Sequence, residues 1–150
     1  MKRIISRYGS AAALLVMAAW IAGACGSSDS SDKKSEATVR AGGVTLLDAQ
    51  AYRTAIGSGE QFVVNVHVPY EGEIEGTDAF VPFDQIDQHV AELPTDKTAP
   101  LYIYCRSGRM SGEAAPVLQR LGYTNIIDLR GGMNAWRDAG LAIVNKEGRP

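Results

Sequence analysis

The sequence predicts an α/β domain in which a mostly parallel β-sheet is covered by helices on both faces. Short apolar runs rich in β-branched and aromatic residues recur along the chain, as at 62–68 and 101–104. Segments with apolar residues at helical spacing lie between these runs. Strands that alternate with helices in this way form βαβ units, whose strands run parallel. A chain of 150 residues is long enough for one such domain.

The first half of the domain contains two predicted strands, at 44–47 and 62–68, with a helix between them. Asp48 stands where it can cap the start of this helix, and Gly57 stands where the helix can end. The acid-rich stretch 71–82 shows neither periodicity and is predicted to be a loop.

The second half contains two further strands, LYIY at 101–104 and NIIDL at 125–129. Apolar spacing predicts helices over three segments, 83–93, 111–122 and 131–140. Pro116 suits the second of these only if it lies in the first turns or kinks the helix.

The first 24 residues have the pattern of an export signal. A basic start (Lys2, Arg3 and Arg7) precedes 11–24, which are 14 residues without a charge, too few to span a bilayer comfortably. The AGAC sequence ending at Cys25 resembles a bacterial lipobox, which implies cleavage before Cys25 and its acylation. The alternative is an ordinary secretory signal followed by chance by a cysteine, and the protein is then secreted.

These features predict four parts: a lipoprotein signal peptide at 1–24, a flexible Ser-rich tether at 25–42, the folded domain at 43–145 and a tail at 146–150. The mature protein is expected at the cell membrane, on its extracytoplasmic face. Without 1–24 the chain has 12 basic and 17 acidic residues, a formal net charge near −5. This balance argues against a nucleic-acid partner, and it leaves membrane contact to the lipid anchor alone.

The chain has two cysteines, Cys25 and Cys105. If Cys25 is acylated, Cys105 has no partner for an internal disulfide, and an odd cysteine in an exported protein is an intermolecular partner or a reactive thiol. A Cys25–Cys105 bridge is the alternative if Cys25 stays free. A buried, inert cysteine at a strand end is the remaining interpretation.

Cys105 lies between the strand at 101–104 and the next helix, at the edge where open α/β sheets bind ligands. Gly108 permits a turn whose amides point inward, and Arg106 and Arg109 add positive charge. These features favour a negatively charged sulfur and an anionic ligand beside it. No His, Asp or Glu lies in the loop to act as a base, so a reaction whose leaving group departs as a stable anion, such as sulfane-sulfur transfer, fits best.

Three segments together, YCRSGRMS (104–111), LGYTNIIDLRGGMNAW (121–136) and AGL (139–141), resemble a rhodanese (sulfurtransferase) domain over about 44–144. The resemblance implies a three-layer domain with a central, mostly parallel five-stranded sheet. It also implies that Cys105 carries a persulfide, with no cofactor and no metal. The implied substrate-binding loop consists of Arg106, Ser107, Gly108, Arg109, Met110 and Ser111. Gly131, Gly132 and Trp136 match a structural motif of the family.

The implied function is transfer of sulfane sulfur from a small anionic donor such as thiosulfate to a thiophilic acceptor. The chain departs from typical members at Asn65 and His67, where they carry Asp and Arg, and it lacks their Gly-His-Ile segment. The entrance to the site, at 69–82, is therefore expected to be remodelled. His67 is predicted to be mainly structural, and the alternative is that it orients the loop or an acceptor. Four acidic residues nearby are predicted to be solvated, and the alternatives are a cation site or repulsion of anionic substrates: Glu71, Glu73, Glu75 and Asp78.

Two other classes of function are open at this stage. Phosphatases that share this fold need a loop one residue longer that ends in an arginine, whereas Ser111 stands six positions after Cys105. A binding or redox-sensing module on the same fold, using Cys105 only for mixed disulfides, is the main alternative.

Overall fold

The computed structural model describes residues 38–39 and 43–149. The predicted signal peptide, Cys25 and most of the predicted tether lie outside the described residues. Two tether residues, Thr38–Val39, form strand β1, which pairs antiparallel with β2, Thr45–Leu47. The described part of the chain therefore starts at one edge of the central sheet.

Five parallel strands form the centre of the molecule, as the family resemblance implied, whereas the sequence pattern alone predicted four. They are β2 and four others: β3 (Phe62–Asn65), β5 (Ala79–Phe80), β6 (Leu101–Tyr104) and β7 (Ile126–Leu129). Their order in the sheet is β2-β7-β6-β3-β5, so β6, which leads to Cys105, lies in the middle. All four residues of β6 are buried, which agrees with the apolar run that predicted it.

Three α-helices cover the two faces of the sheet: α1 (Ala49–Ile56), α2 (Arg109–Arg120) and α3 (Gly132–Asp138). Asp48 caps α1 by accepting a hydrogen bond from the backbone N–H of Ala51 at 2.9 Å. On one face, Ile103 of β6 packs with Leu118 of α2. On the other face, Tyr104 of β6 packs in the cluster that holds the buried residues of α1 and α3. The three-layer prediction is confirmed.

The prediction of one helix over 83–93 is wrong. The segment forms two 3-10 turns, Ile86–Gln88 and Val90–Glu92, each closed by a bond to the third residue back. Its apolar pattern still holds, because Ile86 and Leu93 are buried. A repeat of three residues per turn and one of 3.6 place nearly the same positions on one side over so short a segment.

The stretch 71–82 also departs from prediction, because it contains two strands. Strand β4 (Glu73–Ile74) pairs antiparallel with β8 (Ile143–Val144), and β5 pairs in parallel with β3. Each of these strands has only two residues, too few to show a period of two. Glu73, predicted to be solvated, is buried and lies 3.0 Å from the Arg149 Nε of the predicted tail.

Helix α2 starts at Arg109, two residues earlier than predicted, and contains Pro116 in its interior. Pro116 is exposed, so its ring takes no space from the core. In residues 38–39 and 43–149, no helix combines the length and the apolar character that crossing a bilayer requires.

Candidate active site

Cys105 lies directly after β6, at the carboxyl edge of the sheet, and it is buried with 1% of its surface exposed. It lies at the base of a cleft of about 320 Å³. Four residues of the predicted loop line this cleft: Arg106, Ser107, Arg109 and Met110. His67, Glu71 and Asn134 line it from other segments. The cleft therefore gathers the predicted loop and three residues that the sequence did not assign to the site.

Two hydrogen-bond donors point at the Cys105 sulfur. The backbone N–H of Gly108 lies 3.0 Å from Sγ, and the hydroxyl of Ser111, which is buried, lies 3.7 Å from it. Gly108 has a φ of 89°, a left-handed conformation that costs glycine little and turns the chain into α2. Both donors stabilise negative charge on the sulfur.

The first residues of α3 hold the Cys105 loop in place through backbone hydrogen bonds. The backbone N–H of Met133 donates to the carbonyl oxygen of Cys105 at 2.9 Å, and that of Asn134 donates to Arg106 at 3.0 Å. Gly132 makes this contact possible: a Cβ there would lie 2.2 Å from the carbonyl oxygen of Cys105. The structural role that the sequence suggested for this glycine thus consists of positioning the loop.

Both arginines of the loop are paired with carboxylates. The Nη1 of Arg106 donates to Oε1 of Glu71 at 2.9 Å and to Oε2 at 3.2 Å. Arg109 donates to Glu113 one helical turn on, at 2.5 Å, and its guanidinium lies 5.7 Å from the centre of the Phe83 ring. The positive charge that the sequence assigned to the loop is therefore balanced by two acidic residues.

His67 lies two residues beyond β3, which is paired with β6, and it is buried at the cleft wall. Its Nδ1 lies 3.2 Å from the sulfur of Met110, and its Nε2 lies 3.5 Å from Oε2 of Glu71. Asn65 fixes this turn, because its side chain accepts from the backbone N–H of His67 at 2.9 Å. The mainly structural role predicted for His67 leaves out its place in the cleft. The signal for that place is its position after a parallel strand.

Glu71 and Asn134 were not assigned to the site as individual residues. Glu71 belongs to the stretch 69–82 that was expected to form the entrance, whereas no pattern in the sequence singled out Asn134. Glu71 meets Arg106 across 35 residues of chain. Within the described part of the chain, no group of three or more His, Cys, Asp or Glu side chains is close enough to hold a metal ion.

Burial lowers the pKa of the His67 imidazole below its ordinary value of 6.5, and the Glu71 carboxylate opposes this shift. As the pH falls through 6.5, the unfolded chain binds a proton that the folded chain binds only at lower pH. The free energy of unfolding therefore falls as the pH falls in this window.

We expect His67→Gln to reduce this decrease in the free energy of unfolding, as measured by urea titrations between about pH 7.5 and about pH 5.5. Parallel profiles for the two proteins would contradict the expectation.

Residues 43–139 match the family model described as a rhodanese-like domain. A protein of Allochromatium vinosum named "Sulfurtransferase" is 41% identical over 68 residues, which is 45% of this chain and 62% of that protein. "Thiosulfate sulfurtransferase PspE" of Escherichia coli is 29% identical over 65 residues, 42% of this chain and 62% of that protein. The chain thus spans less than two thirds of each relative.

Among solved structures, the crystal structure of a rhodanese-related protein from Thermoplasma volcanium has a TM-score of 0.55 and 25% sequence identity. The match covers 66% of this chain and 96% of that one. The likeness spans nearly the whole of the other protein, which agrees with the fold described above.

Proposed function

The chain belongs to the rhodanese-like domain family, and we propose that it is a sulfurtransferase in which Cys105 accepts sulfane sulfur and passes it on. The observation that carries the proposal is the surroundings of one atom. The Cys105 sulfur lies at the base of a cleft and receives hydrogen bonds from Gly108 and Ser111. These donors can stabilise a thiolate, and the cleft of about 320 Å³ beside Sγ has room for the outer sulfur of a persulfide.

The reaction has two steps. The Cys105 thiolate attacks the outer sulfur of thiosulfate, the S–S bond of the donor breaks, and sulfite leaves with the electron pair. The enzyme then holds a persulfide, Cys105–S–S⁻. A thiophilic acceptor, such as cyanide or a thiolate, attacks the terminal sulfur, and the Cys105 thiolate leaves with the pair. Thiosulfate is the donor named for the similar Escherichia coli protein, which supports it as the donor here.

The chain contributes binding and positioning rather than proton transfer. Because sulfite leaves as an anion, the first step needs no proton donor. The bonds from Met133 and Asn134 hold the backbone of the loop, so that the Gly108 N–H stays directed at the sulfur. A site held in place before the reaction has less reorganisation to undergo during it.

The test is the intact mass of the purified protein before and after incubation with thiosulfate. We expect a gain of one sulfur atom that is lost when cyanide is added. No gain with thiosulfate or with a polysulfide would favour a binding or redox-sensing module, in which Cys105 forms only mixed disulfides.

We also propose that the protein works outside the cytoplasm, held to the cell membrane by a lipid on Cys25 and having no nucleic-acid partner. The location rests on the sequence of 1–25 alone, and the absence of a nucleic-acid partner rests on the formal net charge near −5 of the chain without 1–24. If Cys25 is not acylated, the protein is secreted instead.

Cys25→Ser is expected to remove the acylation site. In cells fed labelled palmitate, the unmodified protein should carry the label and sediment with membranes. The variant should carry none and should no longer sediment with them. Label that persists in the variant would contradict the lipobox interpretation.

A further inference from the structure

The arginine next to the reactive sulfur, Arg106, is paired with the carboxylate of Glu71. Arg106 directly follows Cys105, and its Nη1 contacts both oxygens of Glu71 at 2.9 and 3.2 Å. About half of the Arg106 side chain and 35% of the Glu71 side chain are exposed, so the pair lies at the mouth of the cleft. Any anion that reaches Cys105 through this mouth meets Glu71 as well as Arg106.

The backbone beside Glu71 is fixed by the fold. The Asn65 side chain, which is fully buried, donates to the carbonyl oxygen of Gly72 at 3.1 Å. Gly72 has a φ of 93°, and a Cβ there would lie 2.6 Å from a methyl group of Ile143. The turn that carries Glu71 is thus fixed on both sides, and Glu71 needs little further ordering to pair with Arg106.

The other charged groups at the cleft do not restore a positive field. Arg109 is paired with Glu113, and burial lowers the pKa of His67 below its ordinary value of 6.5, so its imidazole adds little positive charge at alkaline pH. Glu71 therefore balances Arg106 at the mouth, and the second arginine of the cleft, Arg109, is balanced by Glu113, which does not line the cleft. A donor with two negative charges gains little there from charge attraction, and it must also compete with Glu71 for Arg106.

We propose that Glu71 is a specificity-determining residue, which competes with the donor for Arg106 and shifts preference from dianionic donors to donors with a single negative charge. The inference rests on the proposed sulfurtransferase function. Thiosulfate is the dianion, and an aryl thiosulfonate is a monoanion with the same reacting bond. In both, Cys105 attacks the outer sulfur and the S–S bond breaks. The electron pair leaves on sulfite from one and on the sulfinate from the other.

The experiment compares the two donors in the unmodified protein, in Glu71→Gln and in Glu75→Gln at about pH 8, where His67 is neutral. Glu75 is exposed and lies outside the cleft, so Glu75→Gln removes the same charge from the same segment. We expect Glu71→Gln to lower the KM for thiosulfate about threefold to tenfold, with kcat changed by less than about twofold. The KM for the aryl thiosulfonate should fall by a smaller factor, and Glu75→Gln should change neither.

A second pair of variants tests whether Glu71 acts through Arg106. In an Arg106→Gln background, the further change Glu71→Gln should no longer lower the KM for thiosulfate. Three results would each overturn the inference. They are a decrease in the KM for thiosulfate that persists in the Arg106→Gln background, equal decreases in KM for both donors, and an equal decrease in Glu75→Gln.

Binding without turnover separates this inference from the proposed function. In calorimetry, thiosulfate should bind Cys105→Ser/Glu71→Gln about threefold to tenfold more tightly than Cys105→Ser. Tighter binding without sulfur loading of the unmodified protein would contradict the proposed function and still support competition by Glu71. Equal binding together with normal loading would overturn the role of Glu71 alone.

Discussion

Cys105→Ser is expected to lower sulfur loading from thiosulfate by at least about a thousandfold, because a serine hydroxyl neither attacks sulfane sulfur nor holds it. The fold should survive, since the Gly108 N–H that donates to Sγ at 3.0 Å can donate to a serine oxygen. We expect the free energy of unfolding to change by no more than about 1–2 kcal/mol. Intact mass after incubation with thiosulfate measures the loading, and a urea titration measures the stability.

The other cysteine provides the matched control. The chain contains only Cys25 and Cys105, so purified Cys25→Ser should load one sulfur as the unmodified protein does. Loading that persists in Cys105→Ser but disappears in Cys25→Ser would show that Cys25 carries the sulfur, and it would contradict the proposed mechanism. Loss of loading together with loss of the folded state would call for Cys105→Ala, which removes the sulfur without adding a polar atom.

Gly132→Ala is expected to have the second largest effect, because its Cβ would lie 2.2 Å from the carbonyl oxygen of Cys105 and 2.7 Å from the carbonyl carbon of Arg106. Both are backbone atoms of the loop, so the loop or the start of α3 must shift. The φ of 59° adds the cost of a left-handed alanine. Together we expect a loss of about 3 kcal/mol in the free energy of unfolding and a fall in sulfur loading among the molecules that remain folded.

Gly140→Ala measures the cost of the left-handed conformation alone, so the difference between the two variants gives the cost of the close approach at Gly132. Gly140 has a φ of 76°, also left-handed, but a Cβ there would meet nothing within 4 Å. The substitution should therefore cost only about 1–2 kcal/mol and leave sulfur loading unchanged. Equal losses of stability in the two variants would show that backbone conformation, rather than contact between α3 and the loop, sets the requirement for Gly132.

Gly108 and Gly132 together keep a hydrogen-bond donor directed at the Cys105 sulfur. The Gly108 N–H reaches the sulfur only if the loop keeps its shape. The two backbone hydrogen bonds from α3 to Cys105 and Arg106 hold that shape. A substitution at Gly132 touches no substrate, yet it should change loading by moving the donor away from Sγ.

Parts of the fold could be predicted because their signals are local. The strand before Cys105 is a run of four buried residues, and Asp48 caps α1 through its own backbone neighbourhood. Strand β5 could not be predicted, since its two residues are strands only through hydrogen bonds to β3. The 3-10 turns at 86–92 were missed because apolar spacing over a short segment does not separate three residues per turn from 3.6.

The same division holds for the candidate site. Cys105, Gly108 and Ser111 are close neighbours along the chain, and the glycine turn after the cysteine already predicts backbone donors around the sulfur. Glu71 joins the cleft from a turn 35 residues away, and its contact with Arg106 offsets the positive charge that the loop alone predicted. A charge count over the loop contains both arginines, but it cannot contain a carboxylate that only folding brings there.

By itself, the sequence determined the α/β class, the parallel direction of the main strands and the place of Cys105 at a strand end. Each of these depends on periodicity or on neighbours along the chain. Only the tertiary structure decided what faces the sulfur and what charge its surroundings carry. Those properties depend on Glu71, His67 and Gly132, which reach Cys105 and its loop from the ends of other strands. Distances between such residues are set by the packing of the whole sheet, and no local pattern in the sequence encodes them.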